Sequence, residues 1–121
     1  MATLSKVPFS GSSYGKSIKV AAVASTGTTV HATGTSATTV DEVWLYATNS
    51  SVAAVTLTVQ FGATGAPDDA IAISIPPLSG LTLVVPGLLL TGTGGAASTV
   101  YAYASVTNVV MVSGFVNRLV P

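Results

Sequence analysis

Residues 11–15, Gly11-Ser12-Ser13-Tyr14-Gly15, spell G-x-S-x-G, the spacing of a nucleophile elbow that presents a serine to an acyl carbon. That chemistry needs a strand before the serine, a helix after it, and an acid and then a histidine later in the chain. Here a polar stretch precedes Ser13 and a strand pattern follows it, and His31 comes before every acid, so the elbow reading fails on context. Gly92-Thr93-Gly94-Gly95-Ala96-Ala97 satisfies the relaxed dinucleotide pattern G-x-G-x-x-A. A ribose-binding acid is due about 20 residues beyond such a motif. No Asp or Glu follows Asp69, so the stretch reads as a glycine-rich turn.

The acids are Asp41, Glu42, Asp68 and Asp69. Neighbouring residues on a strand point to opposite faces, so Asp41 and Glu42 cannot flank one glycosidic bond. Asp68 and Asp69 fall in a Gly/Pro/Asp-rich segment and suit a turn; a calcium site would need about six oxygen ligands. His31 has no second histidine and no cysteine to complete a zinc site, and reads as a polar strand residue or an interface hydrogen-bonder. Asn49-Ser50-Ser51 matches a glycosylation acceptor but reads as a turn. Trp44 and Tyr46 share one face of a strand, either as part of the core or as an aromatic platform for a sugar or a protein partner. No catalytic, cofactor-binding or metal-binding residue emerges, and the expectation is a protein that is not an enzyme. The candidate interaction residues are Lys6, Lys16, Lys19, Trp44 and Tyr46.

Composition points the same way. The 121 residues suit one domain, and 49% of them are hydrophobic, enough to fill a core. Only 7% are charged, against about 25% in ordinary soluble domains, and the formal net charge is zero. Thr, Ser, Gly and Ala take the place of charge, so little electrostatic repulsion keeps copies apart. With four basic residues there is little to neutralise phosphates, so nucleic acid is not an expected partner. No run approaches the roughly 20 apolar residues of a membrane helix, and no export signal is recognisable, so the expectation is a soluble protein made in the cytoplasm. Cysteine is absent, which excludes disulfides.

The elements that must position these residues are strands. Residues 1–16, punctuated by Pro8, Gly11 and Gly15, read as an extended N-terminal arm whose lysines either dock on an acidic neighbouring surface or keep a solvated terminus soluble. From residue 17 to 121 the signal has period two. Val55, Leu57, Val59 and Phe61 alternate with Thr56, Thr58 and Gln60, which predicts one buried and one solvent face. Asp41 to Thr48 precedes this run, and Asn49-Ser50-Ser51 between them predicts a hairpin. Ile71 to Ile75, Leu81 to Val85, Leu88 to Leu90, Thr99 to Val106 and Val109 to Leu119 read as further strands. Pro86-Gly87 separates two of them, and residues 24–39 read as a loop with one polar edge strand at Thr28 to Thr33. The fold expected is all-β: an antiparallel, jelly-roll-like β-sandwich of about eight strands behind an N-terminal arm.

Asp41 to Asn49, Leu81 to Gly92 with its Val85-Pro86-Gly87, and Tyr101 to Arg118 ending Gly114-Phe115-Val116-Asn117-Arg118 resemble segments of small structural proteins of tailed bacteriophages. The resemblance spans roughly residues 30–119 and carries no catalytic residue. It implies a virion subunit of the capsid decoration (cement) type, bound to the major capsid protein or other virion proteins and forming a homo-oligomer, with a trimer preferred. The alternatives are a receptor- or glycan-binding module of a tail or head fibre, using Trp44 and Tyr46, and a connector or tail component.

Overall fold

A computed structural model describes residues 2–121 as nine strands without a helix. They are β1 (Thr3–Pro8), β2 (Ile18–Lys19), β3 (Thr28–Ala32), β4 (Val40–Asn49), β5 (Val55–Gly62), β6 (Ala70–Ile75), β7 (Thr82–Thr91), β8 (Thr99–Ala104) and β9 (Val110–Val120). One antiparallel sheet runs β1-β9-β4-β7, with β2 also on β9; the other runs β3-β8-β5-β6. β1 pairs with residues 115–120 of β9 and β2 with residues 111–112, so the two form one interrupted strand. Counted that way, the eight strands are ordered 1-8-3-6 in one sheet and 2-7-4-5 in the other. This is the jelly-roll arrangement of two interlocked Greek keys.

The inner faces close a core of Val43, Leu45, Ala47, Val85, Val112 and Val116 from the first sheet and Val30, Leu57, Val59, Ile75, Val100 and Ala102 from the second. β4 shows the alternation in full: Asp41, Val43, Leu45, Ala47 and Asn49 are buried, and the residues between them are half-exposed. The expected sandwich is present, but several local expectations differ.

Residues 2–16 do not form a separate arm. β1 is an edge strand of the sandwich, and Phe9 behind it is 2% exposed in the core. An edge strand needs only backbone pairing on one side, so a polar sequence without strong alternation is enough to make it. Gly114 on β9, at φ +146°, gives Phe9 its room: a methyl group there would collide with the Trp44 carbonyl and crowd the Phe9 ring. The following residues cover the edge of β3, where the Gly11 N–H donates to the Val30 carbonyl and the Ala32 N–H to Ser10 Oγ. The β3 edge is thus capped by the chain's own N-terminal segment.

β4 and β5 do not form a hairpin; they lie in opposite sheets. Asn49, buried at the end of β4, bridges to the carbonyls of Ala53 and Ile75, so the turn arches across the sandwich. Thr58 and Gln60, expected on a solvent face, are buried. The β2–β3 loop folds over Gln60, whose Oε1 accepts the Gly27 N–H and whose Nε2 donates to Ser25 Oγ. Pro86-Gly87 does not end a strand: β7 is an edge strand, where a missing N–H is tolerated, and register shifts opposite Trp44 absorb the pair.

The loops divide by character. Those after β2, β4, β6 and β8 gather at one end, joined by bonds such as Leu78 N–H to the Asn49 carbonyl and Thr107 Oγ1 to the Ala21 carbonyl. They expose Val23, Val52, Leu78, Leu81 and Val106 and hold no charged residue. The opposite end is built from Gly, Ser, Thr and the acids Asp68 and Asp69, with the Asp69 carboxylate accepting the Gly65 N–H.

Candidate functional site

The site with most claim to function is the outer face of the β1-β9-β4-β7 sheet. Strand register arranges its outward side chains in rows. Leu4, Leu119, Val40 and Thr91 form one row; Lys6, Asn117, Glu42 and Leu89 the next; Pro8, Phe115, Trp44 and Pro86 a third. Ser113, Tyr46 and Leu83 follow, then Lys19, Met111 and Thr48. Among the described residues Lys6, Lys19 and Glu42 are the only charges on this face. Leu4 and Leu89 are both more than 60% exposed, and with Val40, Leu119, Glu42 and Asn117 they line an open groove of about 280 Å³.

The third row is built by close fit. The Trp44 ring lies near-parallel to Phe115, with centroids 6.4 Å apart and planes 17° apart. Its indole edge rests on Gly87, where a Cβ would lie 2.8 Å from Cζ2. Only glycine leaves that space, and its φ of +81° is one that side chains disfavour. Lys6 Nζ sits 4.8 Å from the Phe115 centroid as a cation–π contact. Trp44 Nε1–H and Asn117 Nδ2–H both donate to Glu42 Oε1, at 2.7 and 2.9 Å. These two bonds, Trp44's foremost, hold the Glu42 carboxyl below its usual range.

Trp44 and Tyr46 are therefore surface residues of one face, not core. Lys6 and Lys19 share that face, whereas Lys16 lies exposed in the β1–β2 loop. What sequence reasoning missed is a buried polar cluster directly beneath. Asp41, 1% exposed, receives a bidentate pair from Arg118, Nε at 2.8 Å and the terminal nitrogen at 2.9 Å, and His31 Nε2 at 2.7 Å. The Ser10 N–H donates to His31 Nδ1, so the ring proton sits on Nε2 and points at Asp41. Burial pushes the Asp41 carboxyl up, but the bonds from Arg118 and His31 outweigh it and the net shift is downward. The same bond holds the Arg118 guanidinium more firmly protonated.

A histidine–aspartate pair near a serine invites comparison with a nucleophilic triad. Here both ring nitrogens are occupied, Ser10 Oγ accepts from a backbone N–H, and His31 is 1% exposed, so no serine proton can reach the imidazole. The arrangement ties residue 10, β3, β4 and β9 together. Its sequence signal was parity: Asp41 stands at an inward position of β4, and an inward acid requires a cation at an inward position of a neighbour. Ser13, the centre of the elbow-like motif, sits exposed in the β1–β2 loop.

No family model matches the chain, and no curated protein matches it.

Proposed function

We propose that this protein is a structural subunit that works by packing against other protein chains, as a capsid decoration protein on the outer shell of a bacteriophage virion. The observation that carries this reading is the largely apolar face of the β1-β9-β4-β7 sheet, with Leu4, Leu89 and Leu119 uncovered beside the Trp44–Phe115 pair. Contiguous apolar surface rimmed by polar groups marks interaction sites, and large aromatics at its centre are the residues that dominate binding energy. The charge-free loop end with its five exposed aliphatic residues offers a second contact, suited to a shell surface. Jelly rolls are frequent among capsid proteins, and the fold accords with this reading by analogy. The segments that resemble phage structural proteins include this face: β4, β7 and β9 supply most of it.

A glycan platform is served less well. The donors beside Trp44, its own indole N–H and the Asn117 amide, are both taken by Glu42 Oε1, which leaves the second Glu42 oxygen as the acceptor beside the ring, whereas sugar recognition needs several free donors and acceptors around it. A connector or tail position would use the same contacts. The test is cryo-electron microscopy of particles assembled with and without the protein: extra density at fixed shell positions is expected in the first set, and its absence from every particle contradicts the proposal.

A further inference from the structure

The outer sheet face carries charges of both signs in one row, and their placement identifies what can cover it. Lys6 on β1 and Glu42 on β4 stand on either side of Asn117 on β9, one strand away in each direction. We infer that this face pairs with the same face of a second copy, around a two-fold axis lying between the sheets and parallel to β9. The inference rests on the proposed function's claim that this face is a contact surface, and names the occupant.

The geometry follows from symmetry. A two-fold axis along β9 places β9 on β9, β1 on β4 of the second copy, and β4 on its β1. Lys6 then meets Glu42 of the second copy, and Glu42 meets its Lys6, so the single row of charge neutralises itself twice. A two-fold axis across the strands through this row would instead stack Lys6 on Lys6 and Glu42 on Glu42, which like charge opposes. In the adjacent row Leu4 meets Val40 of the second copy and Leu119 meets its own symmetry mate, which covers the β1, β9 and β4 side of the groove with apolar side chains. Glu42 has an oxygen left for this contact, because Trp44 and Asn117 both use Oε1.

Aligned sheets pack face to face about 10 Å apart, a distance these side chains can fill. With strands about 4.8 Å apart, the three overlapping strands would hide about 1,000 Å² over both copies, at the lower limit for a specific interface. A reversible dimer, dependent on concentration, is the consequence. Around a three-fold axis the contact would be heterologous and could not use this reciprocal pair, so the inferred contact is two-fold and differs from the trimer expected at the outset.

The test is sedimentation of the full chain at 5–500 µM, with Lys6→Glu and Glu42→Lys made separately and circular dichroism as the check on folding. The wild type is expected to be dimeric at the upper concentrations. Each variant alone places like charges in both reciprocal contacts and is expected to dissociate at least tenfold more readily. An equimolar mixture of the two variants restores opposite charge in both contacts and is expected to recover the dimer. A wild-type monomer throughout, a trimer, folded variants that dimerise unchanged, or a mixture that does not recover would each overturn the inference. A monomer that still decorates particles would refute the pairing and leave the proposed function standing; a dimer that binds none would do the reverse.

Discussion

At the scale of single residues the least replaceable polar group is Asp41, which balances Arg118 and orients His31 from a position sealed from water. Removing Asp41 leaves the buried His31 without its partner and takes the bidentate acceptor from Arg118, which is 29% exposed and can turn to water, so Asp41→Ala is expected to lower stability by about 2 kcal/mol, read as the shift in urea midpoint at constant m-value. The acid limb follows from the direction of the Asp41 shift. Its carboxyl is lower in the folded chain than in the unfolded one, so its contribution is complete above about pH 4 and is lost as pH falls through the folded value. Asp41→Asn is therefore expected to flatten the loss of stability below pH 4 relative to wild type, measured by denaturation at a series of pH values. Gly87 is the second such position. In Gly87→Ala the added methyl must displace the Trp44 ring and adopt a disfavoured φ, a loss of about 1–3 kcal/mol. Trp44 is the chain's only tryptophan, so a shift in its emission will report that displacement directly.

At the scale of elements, β1 with the Phe9–Ser12 segment closes the sandwich. Phe9 fills the space that Gly114 leaves open, and residues 10 and 11 bond to β3. Phe9→Ala is expected to cost about 3–5 kcal/mol, the range for a large aromatic removed from a core, with thermal melting as the measure. Deleting residues 2–16 removes the plug and bares the edges of β3 and β9 together, so that chain is expected to aggregate on concentration, seen by light scattering. These elements also mark where the sequence could be read and where it could not. Strand identity was legible in β4, β8 and β9 because each buries one face and alternates accordingly. The partner of a strand was not: Asn49-Ser50-Ser51 looks the same whether the chain returns to the same sheet or arches to the other. Thr58 and Gln60 misled because a distant loop covers them, which no local pattern reports. Phe9 was hidden because one aromatic between Pro8 and Ser10 has no periodicity to give it away.

At the scale of the whole molecule, scarce charge and an all-β pattern were legible from composition and alternation, and parity placed Trp44 and Tyr46 on one face. The site itself was only half legible. Lys6 joins that face through pairing between the two ends of the chain, which the N-terminal sequence does not disclose. His31, Asp41 and Arg118 come from three strands and meet only in the folded sandwich. The resulting molecule has one capped edge, a polar end carrying Asp68 and Asp69, an apolar charge-free end, and one broad face with no cover of its own. Such a body suits the proposed role in contact with neighbours. The most direct test is acrylamide quenching of Trp44 in the dilute chain and in its assembled state. Quenching is expected to fall severalfold on assembly, because the face around Trp44 becomes buried between chains; equal quenching in both states, with assembly verified by mass, would contradict the account.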